Sequence, residues 1–163
     1  MKRNIPFLIV LLGIIAMVQV FGLSRITILG VSPDIVTIFL ALMAVLIGQK
    51  AGMSFGFLAG TITGLFSGNL GLHMLARTVE GFIAGFFHIP EQSHATARQK
   101  INRTYSAIVT AGFLANAISA AGYNPLGLSP LYRIVVLGAL ESLFTLILAI
   151  IANWLFLRKS LSD

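Results

Sequence analysis

Four side chains in an otherwise apolar chain could do chemistry far from water: Arg77, Glu80, Asn116 and Glu141. Each lies inside a hydrophobic run. Counted inward from Leu70 at about 1.5 Å per residue, Arg77 sits roughly 10 Å and Glu80 roughly 15 Å deep, and Glu141 counted from Leu131 is about as deep. Asn116 is expected at a similar level. A charge at that depth costs roughly 2.5 to 3.5 kcal/mol on insertion scales, so these groups are expected to face one another and not lipid. Arg77 and Glu80 are three residues apart, share a helical face and can pair. Glu141 is expected to hydrogen-bond Asn116 across two neighbouring segments. Three uses of such a cluster stay open: an interhelical clamp, a proton path, and a polar ligand pocket.

Other chemistries find no residues to carry them. The chain has no cysteine, so disulfides, thiolate metal sites and cysteine nucleophiles are excluded together. His73, His88 and His94 lack carboxylate or cysteine partners at ligand spacing, so no metal site is expected. Ser67 in Gly64-Leu65-Phe66-Ser67-Gly68 is not the serine of a hydrolase elbow, because the glycine stands one residue too far upstream. No phosphate-cradling loop ending in Gly-Lys-Ser or Gly-Lys-Thr is present. The expectation is a protein that is not an enzyme and takes no cofactor.

The elements that must hold the polar cluster are membrane helices. Of 163 residues, 57% are hydrophobic and 10% charged, with a mean hydropathy of +0.95; a soluble domain carries about 25% charged residues. Six apolar segments are expected, over residues 5–23, 33–48, 51–66, 70–88, 104–121 and 131–157, making one all-α transmembrane domain over 1–163. The basic front of the first segment resembles a secretory signal, but no small-x-small cleavage site follows, so an uncleaved helix is expected. With the N-terminus inside, the cytoplasmic pieces hold Lys2, Arg3, Lys50, Arg98, Lys100, Arg103, Arg158 and Lys159, and the outer pieces hold Arg25 and Arg133. That bias of eight to two places both termini in the cytoplasm. The formal charge of +6 therefore reads as topology, with the lipid bilayer and not nucleic acid as its partner.

Two features bear on how the helices meet. Gly52, Gly56, Gly60, Gly64 and Gly68 recur every four residues in the third segment, and Ala107, Ala111, Ala115 and Ser119 form a second small stripe in the fifth. Small residues at this spacing let helix backbones approach closely, within the protein's own bundle or against a partner. Ser32-Pro33-Asp34 is expected to start the second helix, with Ser32 as its N-cap and Pro33 at the first helical position. Gly127-Leu128-Ser129-Pro130 repeats the chemistry of Gly30-Val31-Ser32-Pro33 ahead of the sixth.

Residues 32–85 resemble the bacterial rod shape-determining protein MreD family. The resemblance lies in Pro33-Asp34, in Gly56-Phe57-Leu58-Ala59-Gly60, and in Ser67-Gly68-Asn69-Leu70-Gly71-Leu72-His73-Met74-Leu75 leading to Gly81-Phe82 and Gly85. Many members of that family carry an aspartate where this chain has Gly64. The resemblance implies a multi-pass scaffold of the bacterial plasma (inner) membrane, within the cell-elongation machinery for lateral peptidoglycan synthesis. It also implies binding to the single-span protein MreC and, through it, to MreB, RodA and penicillin-binding protein 2. A second resemblance is to the substrate-binding subunits of energy-coupling-factor vitamin transporters. Those take a ligand in an outward-opening polar pocket, for which this chain offers Asn69, His73, Arg77, Tyr123, Asn124 and Arg133.

Overall fold

The computed structural model describes residues 4–90, 92–124 and 127–157 and is all-helical. Six α-helices follow one another: α1 (Ile5–Phe21), α2 (Ile35–Ile47), α3 (Gln49–Ser67), α4 (Leu70–Ala84), α5 (Ala97–Gly122) and α6 (Gly138–Ala152). A 3₁₀ turn (Leu23–Arg25) extends α1 and another (Gly85–Phe87) extends α4, while wide π turns (Tyr132–Leu137 and Asn153–Leu157) flank α6. Among the described residues, three helical stretches are long and apolar enough to cross a membrane: Ile5–Arg25, Ala97–Gly122 and Tyr132–Leu155. α2 and α4 are shorter. At 1.5 Å per residue their 13 and 15 residues span about 20 and 22 Å, against a hydrocarbon core of about 30 Å. The expected basic residues Lys2, Arg3, Arg158 and Lys159 lie outside the described residues.

Local chemistry sets the helix ends, in two places differently from the expectation. The N-cap of α2 is Asp34 and not Ser32: one carboxylate oxygen accepts from the peptide N–H of Val36 at 2.9 Å and of Thr37 at 3.3 Å. Pro33 therefore precedes the cap and fixes the approach of the chain. α5 begins at Ala97, seven residues before the expected start at Thr104. The cause is a capping box, in which the Thr96 hydroxyl accepts from the Gln99 N–H and the Gln99 side chain accepts from the Thr96 N–H. Polar residues 97–103 thus form the first turns of a 26-residue helix and not a loop.

α2 is the centre of the bundle, with two faces buried in two apolar clusters. On one side Val36, Phe39 and Leu40 pack with Leu12 and Ala16 of α1 and with Phe55 and Ala59 of α3. On the other, Ile38, Ala41, Ala44 and Val45 pack with Ala84, with Ala107, Ile108 and Ala111 of α5, and with Ala149 of α6. The outward faces of α1 and α6 are apolar as well, with Ile5, Val10, Ile14 and Phe21 on the first and Leu143, Ile147 and Ile150 on the second all exposed. Surfaces of this kind suit lipid and not water.

The closest approach of two helices is α3 on α4, along the glycine ladder. A Cβ placed on Gly52 would lie 2.6 Å from the Gly81 carbonyl oxygen, and one on Gly64 would lie 2.7 Å from the Leu70 Cα. Cβ atoms on Gly56 and Gly60 would run into the backbone of α4 at Arg77 and at His73-Met74. Gly81 answers from the other helix against the Gly52 carbonyl. Gly68 stands apart from the stripe. It is the left-handed C-cap of α3 at φ +76°, its N–H bonds the Gly64 carbonyl at 3.1 Å, and no atom would meet a Cβ there.

Candidate functional site: a buried ion cluster and its cavity

The ladder brings α4 so close to α3 that Arg77 and Glu80 are carried under the first turn of α2. There the Arg77 guanidinium meets three acceptors. One terminal nitrogen pairs with the free oxygen of the Asp34 carboxylate. The other donates to Glu80 at 2.8 Å and to the Thr37 hydroxyl at 3.1 Å. The side chains of Arg77, Asp34 and Glu80 are 13%, 6% and 1% exposed. A charged hydrogen bond in such a place is strong because no water competes for it.

Asp34 is the hub. Its one oxygen caps α2, its other oxygen holds α4, and its own N–H donates to the Thr145 hydroxyl of α6 at 3.0 Å. Gln19 of α1 secures the same turn from the opposite side, accepting from the Ile35 N–H at 3.0 Å and donating to the Pro33 carbonyl at 3.3 Å. Four helices therefore converge on residues 33–37. The sequence offered one signal for this that spacing alone does not decode: an acid opens a helix of only 13 residues. The cap is buried, with Asp34 only 4% exposed, and a carboxylate so far from water needs a cation.

Beside the cluster lies a cavity of about 340 Å³ between α4, α5 and α6, closed partly by Gly30 and Val31 before α2 and by Leu128 before α6. His73, Arg77, Asn116 and Glu141 line it, with Ser119, Tyr123 and Arg133 also on its wall. Asn116 and Glu141 both face this space, but no hydrogen bond joins them, contrary to the expectation. The cavity lies between them. Of the six outer residues expected to line a pocket, His73, Arg77, Tyr123 and Arg133 do so. Asn69 precedes α4 outside the cavity wall, and the Asn124 side chain is engaged with the peptide N–H and carbonyl of Leu128 at 3.1 and 3.0 Å.

The remaining candidates fall elsewhere. His88 sits at the far end of α4, its Nδ1 2.9 Å from the Val45 carbonyl oxygen and its own carbonyl accepting from Arg103 at 3.2 Å. His94 lies in the loop before α5, so the three histidines are separate. Ala107, Ala111 and Ala115 are buried, whereas Ser119, next in that stripe, reaches the cavity. No family model and no curated protein matches the chain.

Proposed function

We propose that this chain is a non-enzymatic scaffold of the bacterial cell-elongation machinery, related to MreD. On this reading it crosses the plasma membrane six times, keeps both termini in the cytoplasm and binds an MreC-like single-span protein. The observation that carries it is where the resembling residues fall. Pro33-Asp34, Gly56, Gly60, Gly81 and Gly85 are scattered over 53 positions of sequence, yet they build a single unit, α2–α3–α4 locked by Asp34, Arg77 and Glu80. A pattern that specifies one rigid unit is more informative than the same glycines read one by one. The test is co-purification of the full chain with the MreC-like protein of its own genome, together with cell shape on depletion. Rod cells that become round and widen on depletion, with the partner retained on the column, are expected. Unchanged shape and no retention would overturn the proposal.

The cavity favours a second reading, the vitamin-binding transporter subunit. Among the described residues its wall holds two rings, the imidazole of His73 and the half-exposed phenol of Tyr123. Flat heteroaromatic vitamins are held by stacking, and no Phe or Trp lines the described wall to offer them a broad face. A thermal-stability screen with thiamine, riboflavin, biotin and folate separates the two readings.

A further inference from the structure

We infer that the cavity between α4, α5 and α6 is a binding site for a small zwitterion, with Glu141 receiving its primary ammonium group and Arg133 facing its anionic end. This inference goes beyond the scaffold reading and does not depend on it.

The first ground is unspent hydrogen-bonding capacity. The side chains of His73, Asn116, Ser119 and Glu141 all line the cavity, and none makes a hydrogen bond within the described structure. Ser119 makes the point most sharply. Nine other serines and threonines, one in the 3₁₀ turn after α1 and the rest on α3, α4, α5 and α6, return their hydroxyl to the carbonyl four residues earlier, among them Ser54, Thr61, Thr78, Thr110 and Ser142. That bond is the ordinary way a hydroxyl is satisfied in a helix away from water. The Ser119 hydroxyl makes no such bond, and the residue stands on the cavity wall.

Charge then selects the ligand. Arg77 directs three of its five N–H groups at Asp34, Glu80 and Thr37, and the two carboxylates neutralise its charge, so it offers an anion little attraction. Arg77, Asp34 and Glu80 sum to one negative charge when all are ionised, and Glu141 adds a second once an ammonium group lies against it and holds it in the ionised form. The inner end of the cavity is therefore an acceptor of positive charge. Arg133 lies eight residues before Glu141, on the π turn that precedes α6, and so on the side of the Gly30 and Leu128 segments that partly close the cavity. One of its guanidinium nitrogens is engaged by the Tyr123 carbonyl and the others are open. A negative floor and a positive mouth, separated by a neutral wall of Asn116 and Ser119, complement a molecule with an ammonium at one end and an anion at the other. The volume is at the small end of the range for ligand sites, about 300–1,000 Å³, and excludes large cargo.

Two sources carry this chemistry: a soluble amino-acid-like zwitterion and the ethanolamine phosphate headgroup of a lipid. The test follows thermal unfolding of the purified full chain in detergent with four probes at millimolar concentration. Alanyl-alanine represents the soluble source and glycerophosphoethanolamine the headgroup. N-acetyl-alanyl-alanine and glycerophosphocholine are their counterparts without a primary ammonium. A Tm that rises with the logarithm of concentration for either ammonium compound, but not for its counterpart, is expected, and the compound that acts identifies the source. Glu141→Gln keeps shape and should leave the ligand-free Tm near its original value, while binding weakens about tenfold or more, the loss expected for one charge-assisted hydrogen bond. Ser119→Leu fills the cavity from another helix and should abolish the response, so the inference remains testable even if Glu141→Gln does not fold. No rise with either ammonium compound, equal rises with the blocked counterparts, or an undiminished response in Ser119→Leu would overturn it.

Discussion

Arg77 is the residue on which most of the buried polarity depends, because its guanidinium is the cation shared by Asp34 and Glu80. Removing one partner of a buried ion pair leaves an uncompensated charge and costs about 3–5 kcal/mol, far more than the pair is worth against an apolar replacement. Arg77→Ala should therefore lower the unfolding free energy in detergent by that amount, measured by denaturant titration. Adding Glu80→Gln should recover part of the loss, since it removes one of the stranded charges. A double variant no more stable than Arg77→Ala would show that Glu80 is not coupled to the arginine. Asp34 separates two roles at one position. Asparagine caps helices as well as aspartate does, whereas alanine does not, so Asp34→Asn loses the ion pair but keeps the cap. Asp34→Ala loses both and should be less stable than Asp34→Asn by about 1 kcal/mol. Equal stability of the two variants would mean that the cap bonds to Val36 and Thr37 contribute nothing.

At the scale of elements, the α3–α4 contact is the part of the fold most sensitive to a single methyl group. A Cβ at Gly56 meets the Arg77 carbonyl and the Thr78 Cα, which are backbone atoms with no freedom to rotate away. Gly56→Ala should cost about 3 kcal/mol, the upper part of the usual range for overpacking, and should also disturb the arginine beneath it. Gly13 of α1, where nothing lies within 4 Å of the added atom, is the control, and Gly13→Ala should be neutral in the same melting experiment. A neutral Gly56→Ala would require the two helices to sit further apart. The ladder was legible in the sequence because four-residue spacing of glycine has one strong structural use. What it packs against was not, since nothing local distinguishes Gly81 and Gly85 as its complement. Gly68 continues the spacing by coincidence, being a helix terminator at positive φ. The start of α5 was missed for a related reason: hydropathy ends at residue 104, while the Thr96–Gln99 box is a hydrogen-bonding signal that hydropathy does not register. Within the site, the pairing of Arg77 with Glu80 follows from helix geometry, and the pairing with Asp34 spans 43 residues of sequence and needs the tertiary fold.

For the molecule as a whole, the two ends of the bundle differ in character. Gly30 before α2, His73 in the first turn of α4, and Leu128 and Arg133 before α6 meet around the cavity at one end. At the other end Gly48, between α2 and α3, lies against the ring of His88, whose carbonyl is held by Arg103. Loops that a six-span topology assigns to opposite sides of the membrane thus gather at opposite ends, and Lys50, Arg98, Lys100 and Arg103 belong to the second group. Basic residues are retained on the cytoplasmic side, so the cavity end should face outward. The absence of cysteine makes this directly measurable, since each introduced thiol is the only one present. Ser24 and Ser93 are both exposed, and replacement of serine by cysteine is a small change at either, costing at Ser24 the exposed bond of its hydroxyl to the Val20 carbonyl. In intact cells a membrane-impermeant thiol reagent should label Ser24→Cys and leave Ser93→Cys unmodified until the membrane is opened. Labelling of Ser93→Cys alone would invert the protein and turn the cavity toward the cytoplasm. Labelling of both would place the two loops on one side and require an even number of crossings between them.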